Sequence, residues 1–225
     1  MKSILKMTAV ALLALTCGQA MAADDNLDIK VIGEIIPPAC VPTITGGATF
    51  DFGTMPAARV TKDDFTLLPE KSLVFSVTCS SPTKVAFTTV DARADSVVVP
   101  TGKIVGRVPA ENLNLLGLGL TGSTGIGAYE MNVSNLGLTV DGVKGYVGIR
   151  SADNGSSWEL GPISCLWFDP QYTTSVALSG TTTPVAFTTL TGNLNIAAAL
   201  NKGSALDLTS EIDLDGLATI QLVYL

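Results

Sequence analysis

The amino-acid sequence predicts an all-β sandwich, and three observations support this prediction. Short apolar runs alternate with polar residues, and glycine, proline, asparagine or aspartate interrupts them about every 8 to 12 residues. Two dipeptides, Asp141-Gly142 and Asn154-Gly155, lie between such runs, as the turns of β-hairpins do. Helical patterns are short, and the longest helices that we expect are single turns within 55–65 and 111–116.

The chain begins with a predicted secretory signal peptide, residues 1–22. Lys2 and Lys6 give it a basic start, an apolar run covers 7–16, and Ala20-Met21-Ala22 is a small-residue cleavage site. The apolar run is too short to span a bilayer. A lipoprotein whose lipidated residue is Cys17 is the alternative reading of the same segment.

Alternation predicts a series of strands along the rest of the chain. The predicted strands are 27–32, 48–52, 73–79, 85–89, 136–140, 143–149, 157–160, 172–178, 185–190, 193–200 and 218–225. Ser80-Ser81-Pro82 predicts a turn that joins 73–79 and 85–89 in a hairpin. The glycine-rich stretch 91–127 lacks clear alternation, so we expect a decorated loop or an edge region there.

The strand 218–225 is the most informative of these elements, because it is apolar and runs straight into the carboxyl terminus. Chain ends usually fray in polar residues, so this strand needs a partner in its own sheet or on another chain. A second strand-like segment, 27–32, lies near the expected mature amino terminus. One such strand at each end suggests assembly by strand exchange.

Charge and composition exclude several classes of function. The formal net charge is −7 and there is no basic cluster, which argues against nucleic acid and anionic membranes as partners. The sequence has no histidine, which removes Ser-His-Asp and Cys-His catalysis and histidine-ligated metals. No apolar run after the leader reaches membrane-spanning length without polar interruption, so we expect no integral membrane segment in the mature chain. We therefore expect neither an enzyme nor a cofactor.

Two groups of residues have a functional alternative. The acidic cluster Glu211, Asp213 and Asp215 resembles a calcium loop only superficially, because the chain ends before the bidentate glutamate that such a loop requires. We expect a solvated hairpin there instead. The second group combines acidic and aromatic residues, and a core role and glycan contact both stay open for its tryptophans. It consists of Trp158, Glu159, Trp167 and Asp169.

Three cysteines remain after the leader: Cys40, Cys79 and Cys165. In an oxidising compartment an odd number implies one disulfide and one further thiol. Cys165 is flanked by Leu166 and Trp167, which predicts a buried thiol rather than a reactive one.

Four segments, in the same order along the chain, resemble those of chaperone–usher pilus subunits. They are the opening that runs from Gly33 to Cys40, Phe50-Asp51-Phe52-Gly53, the strand Phe75-Ser76-Val77-Thr78-Cys79, and the closing 218–225 with a penultimate tyrosine. The resemblance implies an immunoglobulin-like, pilin-type sandwich that lacks its last strand and is completed by a donor strand. It also implies a disulfide between Cys40 and Cys79. An enlarged middle, about 91–170, makes the chain more similar to a pilin-like secreted family of unknown function that GltF-type proteins exemplify.

This resemblance implies a domain organisation and a set of site residues. Residues 1–22 are the signal peptide, 23–32 are a donor-strand-like extension and 33–225 are the sandwich. The implied donor residues are Leu27, Ile29 and Val31. The implied contacts of a periplasmic chaperone are Ile220, Leu222, Tyr224 and the carboxylate of Leu225.

The function implied is that of a structural subunit of a fimbria or fimbria-like surface fibre that contributes to cell adhesion. Its implied partners are a periplasmic chaperone, an outer-membrane usher and other pilus subunits. The protein would pass through the periplasm to the cell surface. The alternative is a self-complete periplasmic or surface binding module that does not polymerise, and a tip adhesin that contacts glycans through Trp158 and Trp167 is a third hypothesis.

Overall fold

The structure is a computed structural model, and it describes residues 29–35, 38–106, 108–110 and 114–225. The predicted signal peptide and Leu27 lie outside these residues. The described residues fall into two units, an amino-terminal segment that ends at Ile36 and a compact unit Pro37–Leu225 that contains every strand below. No helix in the described part of the chain is long and apolar enough to cross a membrane.

The described residues form an all-β fold, which confirms the fold class predicted from the sequence. Its strands are β1 Cys40–Ile44, β2 Thr66–Leu67, β3 Lys71–Asp91, β4 Ile104–Val105, β5 Val108–Pro109, β6 Leu116–Gly117, β7 Leu120–Thr121, β8 Thr124–Gly125, β9 Gly127–Val133, β10 Thr139–Val140, β11 Tyr146–Ser151, β12 Glu159–Leu160, β13 Leu166–Trp167, β14 Thr173–Leu178, β15 Ala186–Leu200 and β16 Ala218–Tyr224. Short 3₁₀ helices lie at Ala57–Arg59, Ala94–Ser96, Pro162–Ser164 and Gly203–Ala205.

The long strand β3 belongs to both layers of the sandwich. Its first half pairs with β1 on one side and β15 on the other, and β15 continues the layer to β9. Its second half pairs with β16 and, at Phe87, with β14, which continues the other layer to β11 and β12. All of these ladders are antiparallel. β1 and β16 therefore lie end to end along the same side of β3, and both are edge strands.

The hairpin predicted at Ser80-Ser81-Pro82 is wrong, because β3 runs through these residues without reversing. Thr83 pairs with Phe187, and Thr78 pairs with Thr189. Between these pairs β3 has four residues and β15 has one, so the extra residues of β3 form an irregularity in the ladder. Proline lacks an amide hydrogen and is tolerated where the ladder is interrupted. The predicted strands 185–190 and 193–200 are likewise one strand, β15, since Gly192 allows the close approach of Val133.

Both predicted glycine turns are present. Asp141, Gly142, Asn154 and Gly155 all have positive φ values, which two-residue hairpin turns of the primed types require. The turn at Asn154-Gly155 connects β11 and β12, which confirms that hairpin. The turn at Asp141-Gly142 is closed by Val140 and Val143, which exchange two backbone hydrogen bonds of 2.9 Å. The predicted hairpin extends no further, because β10 pairs with β15 whereas β11 pairs with β14. The predicted helical turn within 55–65 is confirmed at Ala57–Arg59, and that within 111–116 lies partly outside the described residues.

Asp141 connects the Asp141-Gly142 turn to β15 through hydrogen bonds. Its Oδ1 accepts hydrogen bonds from the hydroxyl of Thr188 at 2.6 Å and from the backbone amides of Thr188 and Thr189 at 2.9 and 2.7 Å. These bonds, the Thr188 hydroxyl first, hold the pKa of Asp141 below its ordinary value of 3.8. A depressed carboxyl pKa contributes stability that is present above the ordinary value and is lost as the pH falls through the folded value.

We expect Asp141→Asn to lower the free energy of unfolding at pH 7 by about 1 kcal/mol, because charge-assisted bonds become neutral ones. The variant should also lose less stability than the wild type between pH 5 and pH 2. Urea denaturation at pH 7, pH 5 and pH 2 measures both effects. The exposed Asp95→Asn is the matched control, and an equal pH dependence in Asp141→Asn and the wild type would contradict the prediction.

The core lies between the two layers and centres on three aromatic rings. Phe75, Phe87 and Phe168 meet edge to face, with centroid separations from 5.5 to 6.0 Å. Beside them the disulfide joins Cys40 to Cys79, as the resemblance implied, and these cysteines are direct partners in the β1–β3 ladder. Cys165 is buried, as predicted.

Candidate functional site

An apolar opening runs along the side of the sandwich where β1 and β16 are the edge strands. It consists of a cavity of about 660 Å³ and a second of about 570 Å³. The two cavities are adjacent, because both are lined by Thr49, Phe50, Phe52 and Leu214, and we call them together the open groove. Its floor is made by apolar residues of the β3–β15–β9 layer. These residues are Phe75, Tyr129, Met131, Leu194 and Ile196.

The first wall of the groove is the segment 48–55, which follows β1. Phe50 and Phe52 are half-buried and pack against the core, while Asp51 between them is exposed. This is the alternation that predicts a strand at 48–52. The predicted strand is nevertheless wrong, because the segment joins no ladder. It has the side-chain pattern of a strand but no neighbouring strand.

The second wall is the segment 210–217, which leads into β16. Ile212 and Leu214 are half-buried against the core, and the acidic residues Glu211 and Asp213 are exposed. The solvated hairpin expected here is also wrong, because these residues form no ladder. Their acidic side chains are solvated, as expected, on the rim of the groove. In the described chain, no group of three or more acidic or cysteine residues could hold a metal ion.

The backbone of both walls is largely unpaired. Within the described residues, no backbone–backbone hydrogen bond involves 48–55 or 210–214, although Asp51 Oδ1 accepts a bond from the amide of Gly53 at 2.7 Å. The second wall is anchored at its end by two backbone hydrogen bonds of 2.9 Å. The amide of Asp215 donates to the carbonyl of Leu118, and the carbonyl of Leu217 accepts from the amide of Ala92. Rows of unpaired amides and carbonyls beside an apolar floor form a template for an added strand.

Tyr129 is the polar exception on the groove floor. Burial, helped by the negative charge of Asp91, raises the pKa of its phenol well above the ordinary value of 10.0. The hydroxyl therefore stays protonated and neutral at any physiological pH. The floor presents no charge to whatever occupies the groove.

The terminal strand β16 finds its partner within its own chain. It pairs with Val85–Asp91 of β3, which confirms the predicted strand. Of the implied chaperone contacts, Ile220 lines the groove and Leu222 packs on the core, whereas Tyr224 and Leu225 are half exposed. The Tyr224 hydroxyl accepts a hydrogen bond from the amide of Cys40 at 2.9 Å. The other edge of β16 carries no ladder in the described part of the chain.

The implied donor residues are partly described. Leu27 lies outside the described residues, while Ile29 and Val31 are 81% and 91% exposed. Ile32 and Ile35 are exposed as well, at 79% and 97%. The described residues of this segment form no regular element. Four exposed β-branched side chains within seven residues make it an apolar segment without a sheet of its own.

Three of the four aromatic and acidic residues near β12, Glu159, Trp167 and Asp169, lie around an arginine that the sequence did not single out. Arg150 pairs with Glu159 at 2.9 Å, and its guanidinium lies 4.3 Å from the centre of the Tyr172 ring. The indole nitrogen of Trp167 donates to the carbonyl of Pro162 at 2.7 Å, and this tryptophan is buried. Alternating polarity could not reveal Arg150, because its role depends on the pairing of β11 with β12.

This cluster leaves little room for a ligand. Arg150, Trp167 and Asp169 line a cavity of about 10 Å³, which is the size of one water molecule rather than a sugar ring. Burial raises the pKa of Asp169, against the opposing effect of hydrogen bonds from Gln171 and Asn114. Trp158 packs near Gly155. The open groove is therefore the stronger candidate for a functional site.

The family of the chain follows from a match to residues 29–144, which include the amino-terminal segment, the first wall and most of the groove floor. The matching family model is described as "Protein of unknown function (DUF1120)". The chain belongs to this family. This DUF1120 protein is also 30% identical to Protein GltF of Escherichia coli (strain K12) over 247 aligned residues, which cover 96% of this chain and 95% of GltF.

A second relative of this DUF1120 protein is the Uncharacterized protein YhcF of Escherichia coli (strain K12). It is 28% identical over 227 aligned residues, which cover 92% of this chain and 93% of YhcF. The predicted similarity to GltF-type proteins is thereby confirmed. None of these descriptions states an activity or a partner, so the resemblance to pilus subunits stays a prediction.

Proposed function

We propose that this DUF1120 protein is a non-catalytic structural subunit of a fimbria-like surface fibre that assembles by β-strand exchange and contributes to cell adhesion. The observation that carries the proposal is the open groove, an apolar slot between two strand-like walls that join no ladder in the described part of the chain. The proposed location is the periplasm in transit and then the cell surface.

The groove supports this proposal through both its side chains and its backbone. An inserted strand would cover Phe50, Phe52, Ile212 and Leu214, and each CH₂ group that leaves water contributes about 0.8 kcal/mol. The same strand would supply partners to the unpaired amides and carbonyls of both walls. Addition of a peptide strand to an exposed sheet edge is an established mode of protein recognition, in which main-chain bonds give affinity and pockets give specificity.

The amino-terminal extension is the proposed donor. Ile29 and Val31 alternate with a polar residue, so they would point to the same face of a strand. Leu27, two residues earlier, continues that face in the sequence. Inserted in the groove of another subunit, these side chains would lie against the apolar floor.

A periplasmic chaperone is the proposed earlier occupant of the groove, before an outer-membrane usher mediates exchange for another subunit. The free edge of β16 offers backbone groups for a chaperone strand. Tyr224 and Leu225 are half exposed at the end of that edge, so both side chains are accessible to such a strand. An apolar groove must be covered while the protein crosses the periplasm, and this accounts for the need for a chaperone.

A donor peptide tests the proposal directly. We expect a peptide that copies residues 25–35 to raise the melting temperature of the purified mature chain by several degrees, because it binds the folded state only. Differential scanning fluorimetry at increasing peptide concentration measures this shift. The matched control is the same peptide with Ile29→Asp and Val31→Asp, which should give no shift.

The result also separates the competing hypotheses. An unchanged melting temperature with the unmodified peptide would contradict strand exchange and favour the self-complete binding module. Equal shifts with the unmodified and the control peptides would indicate non-specific binding and would count against the groove as the site. Co-purification of the periplasmic form with a chaperone would support the proposed transit complex.

A further inference from the structure

The rim of the open groove carries an acidic charge of its own. Asp51 on the first wall and Glu211 and Asp213 on the second are exposed, and none of them forms a salt bridge within the described residues. Asp215, at the end of the second wall, is instead paired with Arg93 at 2.7 Å. Lys71 of β3 lies beside the first wall, with its ammonium 6.0 Å from the centre of the Phe52 ring.

The first wall, the second wall and the extension each contain a tripeptide in which an apolar residue stands on either side of a charged one. These tripeptides are Phe50-Asp51-Phe52 on the first wall, Ile212-Asp213-Leu214 on the second wall and Ile29-Lys30-Val31 in the extension. In the walls the apolar residues point to the core and the aspartates point to solvent. In a donor strand with Ile29 and Val31 inward, Lys30 would point outward between them.

On the basis of the proposed function, we infer that the donor is the extension of a second copy of this chain, held in register by Lys30 between Asp51 and Asp213. An inserted strand has one wall on each side, and outward side chains at the same level on adjacent strands lie within reach of each other. Opposite charges in that position stabilise the pair. A one-residue slip would turn Lys30 into the apolar floor and Ile29 and Val31 to solvent, so the charge reinforces the register that the apolar residues set.

The exposure of the extension favours a second copy over the chain's own extension. Ile29 and Val31 are 81% and 91% exposed, so within one chain these side chains are not covered as those of an inserted donor strand would be. A second copy can bring the same segment to the groove from outside.

A charge-exchange experiment on the mature full-length chain tests this inference. Sedimentation velocity measures the protein concentration at which oligomers appear for four samples. They are the wild type, Lys30→Glu, the double variant Asp51→Lys with Asp213→Lys, and an equimolar mixture of these two variants. We expect each variant alone to need about five- to tenfold more protein than the wild type.

The mixture should recover assembly, because the acidic extension of one variant matches the basic groove of the other. Lys144→Glu, the same change at an exposed turn, should assemble like the wild type. A wild-type chain that stays monomeric, or Lys30→Glu that assembles like the wild type, would overturn the inference. A mixture that does not recover assembly would also overturn it, because the two variants carry matching charges only between copies.

The apolar variant Ile29→Asp with Val31→Asp distinguishes this inference from the proposed function on which it rests. We expect this variant to form no oligomers at any concentration at which the wild type assembles. If it assembles normally, strand exchange itself is wrong. If it fails to assemble while Lys30→Glu assembles normally, strand exchange stands and the charge register is wrong.

Discussion

Removal of the disulfide, by Cys40→Ala together with Cys79→Ala, should lower the free energy of unfolding by about 4 kcal/mol. The bond closes a loop with a sequence separation of 39, and its loss returns that conformational freedom to the unfolded chain. A domain is typically stable by only about 5 to 15 kcal/mol, so this change removes a large share of the total. Urea denaturation at pH 7 measures the difference.

The location of the disulfide gives this change a functional consequence. Cys40 and Cys79 face each other in the β1–β3 ladder, and β1 leads through Ile44 into the first wall. β1 is an edge strand that pairs with β3 alone. Without the disulfide, we expect the first wall to lose its anchor, so the stabilisation by the donor peptide should also decrease.

Two controls separate the disulfide from other effects. The wild type in a reducing agent should match the double variant, because both lack the same bond. Cys165→Ala leaves the disulfide intact and should cost about 1 kcal/mol for the small cavity that it creates in a buried site. A loss of less than about 1 kcal/mol in the double variant would contradict the chain-entropy account.

The elements that the sequence predicted correctly are those whose cause is local. Asp141-Gly142 and Asn154-Gly155 form turns because only a few residue types tolerate positive φ, and this preference acts within two residues. The terminal strand β16 was predictable from alternation, since Ala218, Ile220 and Leu222 on one of its faces are half-buried against the core. The buried state of Cys165 followed from its apolar neighbours.

The errors concern properties that depend on distant segments. Pro82 and Gly192 are residues that usually interrupt strands, and whether they do so here depends on the register between β3 and β15. The alternation of 48–52 correctly predicts which side chains point inward, but a ladder also needs a neighbour. Whether a strand lies beside 48–52 depends on the arrangement of the whole sheet. The described residues place none there, and this makes the groove a candidate site.

Two phenylalanines, one in the core and one in the groove, should respond to truncation in opposite ways. Phe87 is fully buried, touches Phe75 and Phe168, and lies where β3 carries β14 and β16. We expect Phe87→Ala to lower the free energy of unfolding by about 3 to 5 kcal/mol, because neighbours that belong to both layers cannot collapse into the cavity.

Phe50→Ala is the matched truncation on the first wall. Phe50 is only half-buried and borders the open groove, so its loss should lower the free energy of unfolding of the chain alone by only about 1 kcal/mol. It should nevertheless remove most of the rise in melting temperature that the donor peptide gives, because the ring provides apolar surface that only an inserted strand covers fully. Thermal unfolding with and without peptide measures both quantities for the two variants.

The contrast between the two variants is more informative than either result alone. If the groove were only a surface depression, each truncation would reduce the peptide-induced rise in melting temperature in proportion to the stability that it costs. If the groove is a binding site for a strand, Phe50→Ala loses the peptide response while it keeps its fold, and a destabilised Phe87→Ala still gains stability when the peptide binds. A full peptide response in Phe50→Ala would contradict the assignment of the first wall to the binding site, since a strand in this groove must cover that ring.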